Sequence, residues 1–441
     1  MASVYSENLR VYNAQQFKLS LVDPDPTNIY LTFGRVAPWA NDLAPPQANS
    51  SVDTFNSVWA NMIAAKQISG NDVRHAIPRY DWVANTSFVA YDHCLSQDLY
   101  APNTKFYVLT SDWNVYKCLS NNNGGLSTVM PTQIQTNISI EEADGYIWKY
   151  MYTLTNEERI RFMTDSYIPV QTLDRDNNSL QWRVQDDAID GAIEAITITN
   201  GGSGYSNANS VIVQITGNGT AAEAIARVNT TSQTVTSIVM TNKGYGYTNA
   251  IVSITDSNGS GANARAIISP TGGHGKDPLR ELGGSYLILN PRIKSNEDGL
   301  IPVQNDFREI AIIQDPVEAT TGNTASGRVY SQVMIVTVTS GSEDYDLDET
   351  VYQGGSLATA TFTGVVTNWD ATNQQLMLTN TVGTPTFNPL VGNNSTTSRY
   401  VDSITDKDLV DRSGHLLYVD YIQPITRSID QTEDYKIVLK F

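Results

Sequence analysis

The middle of the chain is written twice. Ile196-Thr-Ile-Thr-Asn-Gly-Gly-Ser-Gly-Tyr205-Ser-Asn-Ala208 returns as Ile238-Val-Met-Thr-Asn-Lys-Gly-Tyr-Gly-Tyr247-Thr-Asn-Ala250, an offset of 238 − 196 = 42 residues. Each copy runs on into a short strand (Ile212 to Thr216, Ile251 to Thr255), an Asn-Gly pair (Asn218-Gly219, Asn258-Gly259) and an alanine-rich strand. A repeat of this period predicts a stacked or paired architecture, since one unit of this size does not bury its apolar face alone. Asn-Gly suits a type I′ hairpin turn. Gly-x-Gly-Tyr suits glycines at a turn or bulge with the tyrosine packed over it. Almost none of these side chains do chemistry, so the repeat points to building rather than catalysis.

The bulk numbers narrow the function classes. A chain of 441 residues has room for two to four domains. Hydrophobic residues at 40% and charged residues at 17% imply a folded protein whose surface is rich in Asn, Thr, Ser and Gln. The 28 basic against 46 acidic residues leave a net charge of −18, which repels phosphate backbones and anionic membrane surfaces. No stretch approaches the ~20 apolar residues that span a bilayer. Met1 to Glu7 lacks a basic region followed by an apolar core, so no signal peptide is expected. Two cysteines, Cys94 and Cys118, make neither a disulfide framework nor a metal knuckle and are expected as free thiols.

Local patterns predict a mainly β chain with a few helices. An Asp-Pro-Asp-Pro turn (Asp23 to Pro26) precedes a strand at Ile29 to Phe33. Asp53 to Ser69 reads as a helix, with Asp53 as N-cap and Phe55, Val58, Trp59, Met62 and Ile63 on one face. Lys105 to Thr110 and Asn114 to Leu119 suit a hairpin, and Gly145 to Tyr152 is an aromatic-rich strand. Thr155-Asn-Glu-Glu158 is a capping box for a short helix. The glycine-rich residues 271–284 read as a junction. Further strands are expected at Phe307 to Ile313, Met334 to Val338, Gly364 to Trp369 with Gln375 to Thr379 as a hairpin, Leu416 to Tyr421 and Tyr435 to Phe441.

Catalytic constellations are thin. His75, His93, His274 and His415 sit in unrelated contexts with no zinc-binding spacing. Gly272-Gly-His-Gly-Lys276 lacks the spacing of a phosphate loop and runs into Asp277-Pro278. No Gly-x-Ser-x-Gly elbow occurs. Glu141, Glu142 and Asp144 precede the aromatic strand, and Glu343, Asp344, Asp346, Asp348 and Glu349 surround Tyr345. The second group lacks the central Gly and final Glu of a helix-loop-helix calcium site and reads as a solvated acidic turn. No catalytic residue, metal ligand, cofactor or small-molecule substrate is expected, and the chain is read as not an enzyme.

Several segments carry more. Ile29-Tyr-Leu-Thr-Phe-Gly-Arg-Val-Ala-Pro-Trp39, His75-Ala-Ile-Pro-Arg-Tyr-Asp-Trp82, Val115 to Leu119, Asp144-Gly-Tyr-Ile-Trp-Lys-Tyr150, Phe307-Arg-Glu-Ile-Ala-Ile-Ile-Gln-Asp-Pro-Val-Glu-Ala319 and Arg412 to Phe441 with Asp430-Gln-Thr-Glu433 occur in this order. Together they resemble the baseplate wedge subunit of T-even-like contractile-tailed phages. The resemblance implies a structural protein of the virion, made late in the host cytoplasm and placed in the tail baseplate. It implies a homodimer that contacts other wedge proteins, with no nucleic-acid or membrane partner and no enzymatic role. Its fold is mostly β, with the two ends of the chain in one domain. The expected organisation is therefore a discontinuous core domain (1–85, 280–325 and 402–441), a β-rich domain (86–185), the inserted tandem repeat (187–270) and a second inserted β domain (328–400). The two inserts have no counterpart in the family pattern, and a carbohydrate-binding or adhesin-like surface on them is the alternative reading. An obligate dimer buries a large apolar patch, and the aromatic strand offers Tyr146, Trp148, Tyr150 and Tyr152 as candidate interface residues. Residues 271–284 are expected to hinge rigid domains when the tail contracts.

Overall fold

The computed structural model describes residues 5–23, 26–94, 98–303, 305–425 and 427–441. Met1 to Val4, and Pro24 and Asp25 of the expected Pro turn, lie outside the described residues. The fold is β-rich, as expected, with five α-helices and 27 strands among the described residues. No helix among them is long and apolar enough to cross a membrane. The chain divides into two compact units, one of residues 1–15, 74–288 and 438–441, the other of 16–73 and 289–437.

The first unit holds three sheets. Tyr107–Leu109, Asn114–Asn121, Tyr146–Thr153 and Ile140–Glu141 form one, and its first two strands make the expected hairpin. Ile437–Lys440, Tyr286–Leu289, Val73–Pro78 and Tyr167–Pro169 form another. Thr155 caps the helix Asn156–Phe162 in the expected box: its hydroxyl accepts from Glu158 N at 3.2 Å, and Glu158 Oε2 accepts from Thr155 N at 2.9 Å.

The third sheet is the tandem repeat, and its two copies are interlocked. The strand order is Ile212–Gly217, Ala250–Thr255, Ser260–Ile268, Ile193–Ser203, Thr234–Tyr245, Thr220–Asn229. Ile196 faces its own counterpart Ile238. Gln214 faces its counterpart Ser253, where the offset is 253 − 214 = 39. A residue facing its own equivalent in an antiparallel pair marks a local two-fold axis, so the copies are related by rotation. Each copy gives its last strand to the other: Ala224 of the first pairs with Met240 of the second, and Ala264 of the second pairs with Ile198 of the first.

The tyrosines cross in the same way. Tyr205 N–H donates to Gln233 O (3.0 Å) and Tyr247 N–H to Gly191 O (3.1 Å). The Tyr205 hydroxyl accepts from Ala262 N and the Tyr247 hydroxyl from Ala222 N, both at 3.4 Å. A Cβ on Gly259 would sit 2.4 Å from the Tyr205 ring, and one on Gly219 would sit 2.4 Å from the Tyr247 ring. This corrects the type I′ expectation. Neither Asn218-Gly219 nor Asn258-Gly259 has positive φ, and Ile212–Gly217 pairs with Ala250–Thr255 rather than with the strand after its Asn-Gly. The glycine is needed there for close approach, not for backbone freedom. The left-handed positions are instead Gly202 and Gly204, matched by Gly244 and Gly246, and each tyrosine packs over a glycine of its own motif, Gly202 or Gly244, as well as over one from the other copy.

The second unit holds a five-stranded antiparallel sheet in the order Val329–Ser331, Met62–Ile68, Ile29–Gly34, Glu309–Gln314, His415–Tyr421. It also holds a closed six-stranded barrel spanning Met334 to Thr405, whose core includes Val336, Val351, Phe362, Val366, Leu376, Leu378 and Leu390. The predicted hairpin is present there, as Phe362–Asp370 paired with Gln375–Gly383. The helix expected at 53–69 is shorter. Ser51 caps it, it runs Val52–Asn61, and Met62–Ile68 is a strand between Ile29–Gly34 and Val329–Ser331. Met62 and Ile63 fit the helical stripe only because this strand is buried on both faces, and pairing across long sequence separations overrides local periodicity.

Candidate functional site

Three of the segments that carry the family resemblance, Ile29 to Trp39, Phe307 to Ala319 and the one that begins at Arg412, meet in the second unit. Gly34 passes so close to the end of the helix Val52–Asn61 that a Cβ would lie 2.8 Å from Asn61 O. Arg35 then takes φ +53°, and its N–H donates to that carbonyl at 3.1 Å. This turn lays the Arg35 guanidinium 3.7 Å over the Trp39 ring, and Trp39 packs on Tyr421 with centroids 4.7 Å apart. Cation–π contact of this kind favours a desolvated guanidinium. Arg308 locks the same loop. Its Nε donates to both oxygens of Asp42 at 3.0 Å, its second guanidinium nitrogen to Asp42 at 2.8 Å, and another to Val36 O. Asp42 also accepts from Trp39 N at 2.7 Å, and the hydrogen bonds from Arg308 hold its carboxyl below the usual range.

Glu309, the next residue, is 2% exposed, and neither carboxylate oxygen accepts a hydrogen bond among the described residues. Burial raises its pKa to about 7, against a partial pull downward from Arg35 and Asn61. One N–H of the Asn61 amide donates to Ser57 Oγ at 3.0 Å. The folded value lies above the ordinary 4.5, so the folded chain binds this proton more tightly than the unfolded one. The associated stability is present below pH 4.5 and lost as pH rises through about 7, by about 3 kcal/mol at most. Glu309→Gln is therefore expected to raise the melting temperature at pH 8 and leave it nearly unchanged at pH 4.5. Scanning calorimetry at the two values reads this, and an equal shift at both would show that Glu309 does not titrate there.

In the first unit, a buried ion cluster fixes the glycine-rich stretch. Lys117 Nζ donates to Glu281 Oε2 at 2.9 Å, lies 3.2 Å from His274 Nδ1 and sits 4.1 Å over the Tyr91 ring. Glu281 Oε1 accepts from Gly275 N (2.7 Å) and Asp277 N (3.2 Å). Burial alone would raise the Glu281 pKa, but Lys117 and His274 bring it down to about 2. Burial, with Lys117 beside it, depresses His274 and keeps the ring neutral. Residues 271–284, expected as a hinge, are thus a packed loop within one unit: Gly273, His274, Gly275, Leu279, Glu281 and Leu282 are all buried. Composition reads glycine as slack. Here it lets backbone amides reach a buried carboxylate.

Metal-binding geometry occurs once among the described residues, at Asp92, His93 and Cys94. The donors are already engaged. Arg265 grips Asp92 with two nitrogens, and His93 Nδ1 accepts from Ile268 N at 3.2 Å. Both interactions tie this loop to the last repeat strand. Cys94 and Cys118 are free thiols, exposed and buried respectively, and burial pushes the Cys118 thiol up. The acidic run around Tyr345 is solvated as expected at Glu343, Asp344, Asp346 and Asp348, which are all exposed, but not at Glu349. Glu349 is buried and accepts from Asp346 N (2.8 Å), Asn394 N (2.9 Å), Ser395 N (3.1 Å) and Ser395 Oγ (2.7 Å), while Asp344 accepts from Trp369 Nε1 at 2.8 Å.

The four candidate interface residues lie inside the first unit. Tyr146, Trp148, Tyr150 and Tyr152 are at most 3% exposed. Tyr146 stacks on Trp148 with centroids 5.5 Å apart, Phe88 meets Trp148 edge-on at 5.6 Å, and Tyr152 OH donates to Pro169 O at 2.9 Å. A bulge near Met151 turns Tyr152 to the opposite face from the other three. Both faces of the strand are covered, which its alternating pattern could not reveal, and none of these rings offers surface to a partner.

Residues 3–126, which include Gly34, Arg35, Trp39, Asp42 and Lys117, match the protein-family model described as Phage-Gp8: Bacteriophage T4, Gp8. The match supports the resemblance to T4-like baseplate wedge subunits read from the sequence. Among curated proteins, the chain is 24% identical over 217 residues to the baseplate wedge protein gp8 of Enterobacteria phage T4. That alignment takes in 40% of this chain and 65% of the T4 protein.

Proposed function

We propose that this chain is a structural wedge subunit of a phage tail baseplate, working through protein–protein contacts as a homodimer bound to other wedge proteins. The observation that carries the reading is the family match over residues 3–126, which contains the Arg35–Trp39–Asp42 loop that Arg308 clamps. The clusters around Arg308, Lys117 and Asp92 are each closed by their own partners and hold backbone in place. That arrangement and the family match support a non-enzymatic role. The aromatic strand Tyr146–Thr153 acts from behind, as the rigid floor of the first unit, rather than as contact surface.

Two measurements test this. Sedimentation of the purified chain at micromolar concentration is expected to give a dimer, and a strict monomer would remove the homodimer from the proposal. A density map of the assembled tail is expected to place the chain in the baseplate as six dimers, whereas a trimeric fibre position would overturn the wedge assignment itself.

A further inference from the structure

The helix Glu7–Ser20 has two faces that differ in fate. Val11 and Ala14 are buried. On another face, Leu9, Tyr12, Gln16 and Leu19 follow one another in steps of 3, 4 and 3 residues, and Tyr5, two residues before the helix begins, continues the spacing in the sequence. This is the spacing of the apolar seam of a coiled coil. The seam is uncovered: Tyr5 is 69% exposed, Leu9 42%, Tyr12 51% and Leu19 49%. Exposed apolar residues scattered singly need no explanation, but a contiguous stripe at helical spacing marks an interaction surface.

We infer that this helix pairs with the same helix of a second copy of the chain, an inference that rests on the homodimer proposed above. The positions flanking the seam choose the partner. Ser6, Asn8, Asn13, Gln15 and Ser20 are all uncharged. Flanking charges normally set partner choice in coiled coils, and a heterologous partner is selected by complementary ones. None is present here. A chain of net charge −18 can meet its own copy only where carboxylates do not oppose one another, and this stripe provides such a place. Glu7 lies off the seam, paired with Arg10 at 3.5 Å. Gln16 is the one polar seam residue, and a polar residue at one seam position fixes register. A helix of 14 residues is too short to pair stably in isolation, so the contact acts as one part of a larger dimer interface.

The test compares the full chain with Leu9→Glu/Tyr12→Glu and with a control, Leu43→Glu, at a site 81% exposed outside the helix. Equilibrium sedimentation is expected to show the double variant dimerising at least about 30-fold more weakly, the scale of losing one interface anchor, with the control unchanged. A double variant that dimerises like wild type overturns the helix pairing and leaves the homodimer standing. A monomeric wild type takes down both. A second readout guards against a variant that folds poorly. Leu9→Cys/Tyr12→Cys in a Cys94→Ser background is expected to yield a disulfide-linked dimer under mild oxidation, and Lys18→Cys in the same background is not. Equal cross-linking from both would also overturn the assignment.

Discussion

Lys117→Met is expected to lower the unfolding free energy of the first unit by about 3–5 kcal/mol, the usual cost of breaking a buried pair from one side. The substitution leaves Glu281 in a pocket where Gly275 N and Asp277 N still approach it but no cation does. The carboxyl would then be protonated well above its present value of about 2. Urea unfolding followed by tryptophan fluorescence reads the change as a lower midpoint with an unchanged slope. Lys117→Met/Glu281→Leu is expected to recover most of the loss, because removing both charges also removes their desolvation penalty. The acid limb tests the same cluster. Glu281 is depressed in the folded chain, so its contribution is complete above pH 4.5 and disappears as pH falls through about 2. His274 adds in the same direction: its folded pKa lies below the ordinary 6.5, so stability is present above pH 6.5 and declines as the unfolded chain takes up the proton below it. A single variant as stable as wild type would show that the cluster is solvated and not a buried pair.

Tyr205→Ala and Tyr247→Ala are each expected to cost about 3–5 kcal/mol, the range for deleting a buried aromatic ring. Both rings are nearly inaccessible, at 0% and 4% exposure. The location of the damage is the sharper expectation. Tyr205 covers Gly259 and reaches Ala262, so its removal should loosen amide protection around the second copy's Asn-Gly turn before the first copy's. Tyr247→Ala should do the reverse through Gly219 and Ala222. Hydrogen exchange resolved by peptide distinguishes the two patterns. Gly259→Ala pushes a methyl group into the Tyr205 ring, and the Tyr205→Ala/Gly259→Ala pair should cost less than the sum of its parts, since residues in contact do not add. Strict additivity would contradict the crossed packing.

Features with a local cause were legible in the sequence. The Thr155–Glu158 box and the hairpins at 107–121 and 362–383 depend on neighbours close in the sequence. What could not be read depends on distant ones. Met62–Ile68 is a strand because Ile29–Gly34 and Val329–Ser331 flank it, and the glycines of 271–284 are buried because Lys117 lies more than 150 residues upstream of Glu281. The aromatic strand looked like surface because nothing in Tyr146–Thr153 announces that both its faces are covered. The resemblance quoted the segments but named no site in them: Arg35, Trp39, Arg308, Glu309 and Tyr421 come from three of these segments, which meet only in the fold.

Arrays of stacked repeats gain or lose whole units while their neighbours carry on unchanged. The crossed pairing of Ala224 with Met240 and of Ala264 with Ile198 removes that freedom. The two copies are bound into one sheet, and a lone unit would keep none of its exchanged partners. A polypeptide holding a single copy should fold only by swapping strands with its twin. The fused pair thus bears the geometry of a dimer of half-length chains, and a mutation in either half is tested by selection in the other.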